Sequence, residues 1–210
     1  MSELNLRLRP VTVDDLPMLQ RFLTEPFLLG PDWRGFQDAQ SVTRRFAKDG
    51  FLGEEDGRLI VEVDPTTGSA GTATAEATEP DGGSAEPDGG SAEPGGPADG
   101  AAAGLVSWQP VLYGGVAKHW EIGIVLLPEW RGRGIGWRAQ AMLCDYLFSH
   151  TPAHRIAAGT QAENTAEQRS LEKAGFHLEG VLRACEFRAG QWRDGHLYSR
   201  LRTDPSPVID

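Results

Sequence analysis

Residues 131–138 read RGRGIGWR, with Arg131, Arg133 and Arg138 interleaved with Gly132, Gly134 and Gly136. Glycine lets a backbone take positive φ and come close to a ligand. The stretch follows an apolar run and opens a helical pattern, so it marks a strand-to-helix turn. Unpaired amides and the helix dipole at such an N-terminus favour an anion. Arginine adds forked donors suited to phosphate oxygens. A pyrophosphate would satisfy all of these groups; the plainer alternative is a tight turn with solvated arginines. No Lys-Ser/Thr pair follows the last glycine, which excludes a nucleotide P-loop, and the alternating glycines do not form the dinucleotide fingerprint.

The elements that must position this turn are legible from periodicity. LNLRLRPV alternates as a strand does. TVDDLPMLQRFL switches to helical spacing, with Thr12 or Asp14 as cap and Pro17 in the first turn. A second helix is predicted over about residues 36–48, with Phe36 on its apolar side. GRLIVEV, GLVSWQPV and KHWEIGIVLLP read as strands. GIGWRAQAMLCDYLFSH is an amphipathic helix, with Ile135, Ala139, Met142, Leu143, Tyr146 and Leu147 on one stripe. A buried strand HRIAAGTQ, a short helix ending at Gly175, and two strands joined at Gly190 complete a mixed α/β order.

Residues 65–104 differ in kind: Gly, Ala, Ser, Pro, Thr and acids, no aromatic residue, and a seven-residue repeat in TEPDGGS, AEPDGGS and AEPGGPA. Pro and Gly break any helix there, and too little apolar surface exists to offset ordering entropy. The segment is expected to be a disordered acidic insert in a single domain covering 1–210, with a polar tail at 203–210. Residues 64–104 carry eight of the acids and no Lys or Arg, so the formal charge of -10 falls to about -2 without them. The body is close to neutral, which argues against a general nucleic-acid binder, since that would need a basic face. Cys144 and Cys185 are unpaired by motif and read as small buried hydrophobes, with no metal site. No signal-peptide pattern and no run of about 18 apolar residues occur, so a cytoplasmic protein without membrane contact is expected.

RGRGIG resembles the Arg/Gln-x-x-Gly-x-Gly/Ala signature of the GNAT superfamily of acyl-CoA N-acyltransferases. EIGIVLLP before it, AENTAEQRSLEKAGF after it and FRAGQWRDGHLYSRL near the end match in order. The last pieces are similar to the Rim-type, ribosomal-protein alanine N-acetyltransferase branch. The resemblance implies a central, mostly antiparallel sheet of about seven strands with a splayed parallel pair, flanked by about four helices. It implies acetyl-CoA as cosubstrate. The pantetheine arm would lie along the backbone of Ile124, Val125 and Leu126. The pyrophosphate would rest on the amides of Arg131, Gly132, Arg133, Gly134, Ile135 and Gly136, with Trp137 and Arg138 behind.

Asn164 matches the family asparagine that contacts the pantetheine arm; it also stands where a helix N-cap belongs, with Glu167 completing a capping box. Glu121 stands where superfamily members often place a carboxylate that acts as base through water; the plainer alternative is an edge-facing carboxylate paired with Arg or Lys, and His119 on the same strand face is either a substitute base or structural. The family's acid tyrosine is Leu171 here, and the serine used in the Rim-type branch is Glu167. Ser170 and Tyr198 remain as acid candidates. Tyr198 belongs to a row with Trp192, Asp194 and His196 that also reads as half-buried sheet. The implied function is acetyl transfer to a primary amine by direct attack in a ternary complex, by a monomer or homodimer. The amine is a small molecule or a peptide N-terminus, and EPFLLGPDW offers either its pocket or a loop plug. The alternative is a non-catalytic acyl-CoA-binding sensor or scaffold.

Overall fold

The computed structural model describes residues 4–64, 100–115 and 117–209. Strand β1 (Asn5–Pro10) leads into helices α1 (Leu16–Thr24), α2 (Pro26–Leu29) and α3 (Gln40–Asp49). Strands β2 (Gly57–Asp64), β3 (Ala101–Tyr113) and β4 (Ala117–Leu126) follow, then α4 (Ile135–His150), β5 (Arg155–Gln161), α5 (Thr165–Lys173), β6 (His177–Arg188) and β7 (Gln191–Leu201). The seven strands form one sheet in the order β1-β2-β3-β4-β5-β7-β6. Only β4 and β5 run parallel among the described strands; every other pair is antiparallel.

Period-two alternation fills both faces. Leu59, Val61 and Val63 of β2 pack with Trp120, Ile122, Ile156 and Tyr198 under α4 and α5. Ile60 of the same strand packs with Leu105, Leu16, Leu19, Phe22 and Val42 under α1 and α3. This is why GRLIVEV is apolar without a break: it is buried from two sides.

Four local expectations change. Helix α3 starts at Gln40, because the Asp38 carboxylate accepts the Gln40 amide at 2.9 Å and Gly35 sits at φ +94°. Phe36 is left 78% exposed, edge-on to Trp33. Strand β3 begins at Ala101, so 101–104 are sheet and not insert: Ala101 and Ala102 pair with Val63 and Glu62, and Ala103 is fully buried. Composition cannot separate an alanine that meets a core from one that does not. The rest of the expected insert, 65–99, lies outside the described residues. The one-turn helix α2 adds to the expected four. Cys144 is buried, with its thiol pushed up to about 12 by burial, but Cys185 is exposed because β6 is an edge strand.

Candidate functional site

The parallel pair β4–β5 is held at three rungs: Trp120–Ile156, Glu121–Ala157 and Ile122–Ala158. Beyond them both strands continue, to Leu126 and Gln161, without pairing to each other. On its other side β4 stays paired with β3 as far as Leu126–Gly104. Gly104 allows that closeness, since a Cβ there would stand 2.1 Å from the Val125 carbonyl. The strands therefore splay, and residues 123–126 present backbone toward a gap with no strand filling it, a ready template for an extended ligand. The side chains of Ile124 and Leu126 pack under α4, while Val125 packs under α1–α3.

The gap ends at the glycine turn. Gly132 and Gly134 are left-handed, at φ 72° and 76°, and Gly134 is the N-cap of α4 with no side-chain cap. Ile135, 1% exposed, anchors the first turn in the core. The third glycine has a different reason: a Cβ on Gly136 would meet Ser170 Oγ at 3.1 Å, so Gly136 lets α5 approach α4. The first-turn amides of α4 have no partner inside the helix and none supplied by a cap.

The arginines are engaged otherwise than expected. Arg131 donates Nε to the Leu126 carbonyl at 3.0 Å and Nη2 to the Leu28 carbonyl. Arg138 reaches the Leu4 carbonyl at 2.9 Å, and Arg133 lies over the Trp130 ring at 5.2 Å. They brace the turn and keep it positive, but an anion would meet backbone amides first. Trp137 packs against the core beneath the turn.

Glu121 stands at the middle one of the three rungs, half-buried, on the α1–α3 face. Gln109 Nε2 donates to its Oε2 at 3.1 Å, and Gly159 opposite leaves room: a Cβ there would sit 3.9 Å from Oε1. His119, two residues back, is buried beside Tyr113, and desolvation lowers its imidazole pKa, with Arg155 adding to the effect.

Asn164 caps α5, its Oδ1 accepting the Glu167 amide at 3.2 Å. The reciprocal half of the box is absent: the Asn164 amide goes to the Gln161 carbonyl at 3.0 Å, and the Glu167 carboxylate accepts Gln140 Nε2 instead. Ser170 Oγ donates to Gln140 Oε1 at 2.9 Å, behind the first turns of α4. Tyr198 is only 1% exposed and lies beneath α4 and α5, on the opposite sheet face from Glu121. Its register partner is Ala158, the rung next to Glu121's, which fixes it to the other face. Glu121 and Tyr198 are therefore not members of one constellation, and burial raises the phenol's pKa.

A polar cluster that the sequence pattern did not reveal lies where α4 meets α5. Gln140, 1% exposed, links Glu167 to Ser170. Burial pushes the Glu167 carboxyl up to about 7, against the Gln140 hydrogen bond and with the Asp32 charge adding to the rise. Asp32 comes from the EPFLLGPDW loop and accepts Gln161 Nε2, at the end of β5, at 3.2 Å. In the same loop Leu28 is a buried plug, Phe27 is exposed, and Glu25 is paired with Arg21.

Residues 5–177 match the family described as acetyltransferase (GNAT) domain. A probable N-acetyltransferase of Bacillus subtilis, YjcK, is 35% identical over 107 residues, which is 51% of this chain and 59% of that protein. The [ribosomal protein uS5]-alanine N-acetyltransferase of Escherichia coli is 29% identical over 82 residues, 39% of this chain and 42% of that protein. The match thus spans little more than half of the curated relatives at most. The crystal structure of spermidine N-acetyltransferase from Vibrio cholerae, in complex with CoA and spermine, superposes with a TM-score of 0.69 at 18% identity, covering 94% of this chain and 96% of that one.

Proposed function

The chain belongs to the GNAT acetyltransferase family, and we propose that it transfers an acetyl group from acetyl-CoA to a primary amine. The observation that carries this reading is the splayed β4–β5 pair ending at an uncapped helix N-terminus. The backbone of Ile124 and Val125 would align the pantetheine arm as an added strand. The Leu126 carbonyl has a smaller part, because Arg131 already holds it. The pyrophosphate would take the amides of residues 132–136 and the positive field of the turn.

Acyl transfer from a thioester needs a neutral amine, held close to the carbonyl, and somewhere for its proton to go. Holding both reactants in one gap supplies much of the rate. Glu121 serves as the base, directly or through water: its carboxylate is fixed by Gln109 one rung short of where the gap opens. Asp32, across the gap, offers negative charge to an incoming ammonium group. That favours cationic amines, polyamines and peptide N-termini alike.

The test is incubation with acetyl-CoA and an amine panel: spermidine and spermine, peptides beginning with Ala, Ser or Thr, and small antibiotics with free amines. Mass spectrometry should find one class gaining an acetyl group. Tight acetyl-CoA binding with no acetylated product from any class would favour a binding module instead.

A further inference from the structure

Most glycines of the described strands have a packing reason. A Cβ on Gly57 would meet the Trp108 ring at 2.2 Å, on Gly104 the Val125 carbonyl at 2.1 Å, on Gly195 Cys185 Sγ at 2.7 Å and on Gly123 Ser107 Oγ at 3.3 Å. Gly180, with open space around it, sits on the edge strand β6. Gly159 is different. It lies in β5, inside the sheet, and a Cβ there would meet nothing closer than Glu121 Oε1 at 3.9 Å, an ordinary contact. Its φ is not positive. An alanine would therefore fit the fold, as Ala157 and Ala158 do just before it, and would make the more stable strand. Gly159 is also exposed, directly after the buried Ala157 and Ala158. A strand glycine of this kind marks a close approach by a ligand. Its place fits that role. The last rung of the parallel pair is Ile122–Ala158, so Gly159 is the first residue of β5 beyond it. The missing Cβ points to the α1–α3 face, toward Glu121. Gln109 holds Oε2 of that carboxylate, and Oε1 is the oxygen turned to Gly159.

Resting on the acetyltransferase reading, we propose that Gly159 is a specificity-determining residue: the carbon that carries the acceptor's nitrogen lies over Gly159, and the missing Cβ sets how heavily that carbon can be substituted. A nitrogen hydrogen-bonded to Glu121 Oε1 leaves its own carbon roughly 3.7–4 Å from that oxygen. That is where the Cβ of an alanine at 159 would stand, 3.9 Å away. The nitrogen then faces the opening between the strands. Its electron pair forms the bond to the thioester carbonyl carbon, and the carbon–sulfur pair leaves with sulfur. The proton passes from nitrogen to Glu121; the thiolate takes one from water as Glu121 returns one to it. The acceptor is a primary amine on a methylene or a once-substituted carbon, reached from the α1–α3 face. Each group added to that carbon competes for the room over Gly159.

The test is Gly159→Ala, assayed with two amines of the class the panel identifies that differ by one methyl on the carbon bearing the nitrogen. For peptides these are one sequence begun with Gly or with Ala; for polyamines, spermidine and its analogue methylated beside the acetylated nitrogen. The ratio kcat/KM should fall about 10-fold for the less substituted amine and about 100-fold for the other, chiefly through KM. Acetyl-CoA affinity should stay within about twofold of wild type. The melting temperature should hold or rise, since alanine replaces glycine at an ordinary strand position. A glycine kept for the fold would give the reverse: a less stable protein with no preference between the two amines. A lowered melting temperature or failure to fold, unchanged kcat/KM, an equal loss for both amines, or weakened acetyl-CoA binding would overturn the proposal. Wild-type protein that acetylates no amine would overturn the transferase reading itself, an outcome visible before any variant is made.

Discussion

The two ends of α4 are treated in opposite ways. At its C-terminal end the carbonyls are taken: Arg202 donates to Phe148 and Thr151 at 2.6 Å each and to Ala153 at 2.6 and 2.9 Å, and Thr151 Oγ1 donates to the Leu147 carbonyl at 2.7 Å. A groove of about 640 Å³ lies beside this end, lined by Asp145, Phe148, Ser149, Arg200, Arg202 and Ser206. In it Arg200 Nη2 is held by Asp145 at 3.2 Å and Ser206 at 2.8 Å, while the buried Arg200 Nε has no partner. At the N-terminal end no side chain caps the helix, glycines clear the approach, and arginines stand round the turn with their forks on carbonyls. A protein that caps one end so fully can cap the other. The bare end is the one that faces the splayed strands, so the difference marks where a ligand belongs better than concavity does.

The comparison breaks most visibly at Gly134. Gly134→Val should weaken acetyl-CoA binding beyond detection by calorimetry, because a branched side chain stands over the amides at a left-handed φ of 76°. Far-ultraviolet circular dichroism should still report a folded protein, and a binding constant equal to wild type would contradict the anion role of the turn. Glu121→Gln should lower kcat by about 100-fold while leaving acetyl-CoA affinity alone; undiminished turnover with the same pH profile would place the base elsewhere. At the other end of α4, Arg202→Ala should cost about 2–3 kcal/mol in denaturant unfolding, since it frees several carbonyls at once. Its acetyl-CoA affinity should not change.

A smaller effect is expected from Glu167 on stability. Its folded pKa of about 7 lies above the ordinary 4.5. Between those values the folded protein holds a proton that the unfolded chain has released, so stability declines as pH rises through that window. Glu167→Gln removes this decline, and its melting temperature should gain on wild type by at least about 2 °C between pH 5 and pH 8. A parallel shift of both proteins would contradict the raised pKa. The smallest effect concerns 65–99. Val63 and Ala101 face each other in the β2–β3 ladder, so a short Gly-containing turn can join them. That replacement should leave melting temperature and acetyl-CoA affinity within error, and a chain that no longer folds would show that the segment is structural.

Much of this arrangement was legible in the sequence, because periodicity reports on burial. The order of strands and helices, the glycine turn and the family resemblance all follow from local pattern. What escaped was set by partners distant in sequence. Nothing local distinguishes an arginine that binds phosphate from Arg131, which holds a carbonyl at Leu28. Tyr198 alternates correctly, but only the register with Ala158 tells which face it takes. Cys185 has strand periodicity on a strand that turned out to be an edge. Gln140 did leave a signal: it lies beside Ala139 and three residues before Leu143 on the buried side of α4, and a polar residue at a core position calls for a partner. Glu167 was that partner, hidden because its spacing from Asn164 also fits a capping box.

In the proposed complex acetyl-CoA lies along the free edge of β4 and ends on the amides of α4. Amide hydrogen exchange with and without acetyl-CoA tests this most directly. New protection is expected in residues 123–126 and 131–137, with the C-terminal end of α4 unchanged. Protection confined to the groove around Asp145 and Arg202, or absent from the glycine turn at saturating acetyl-CoA, would contradict it.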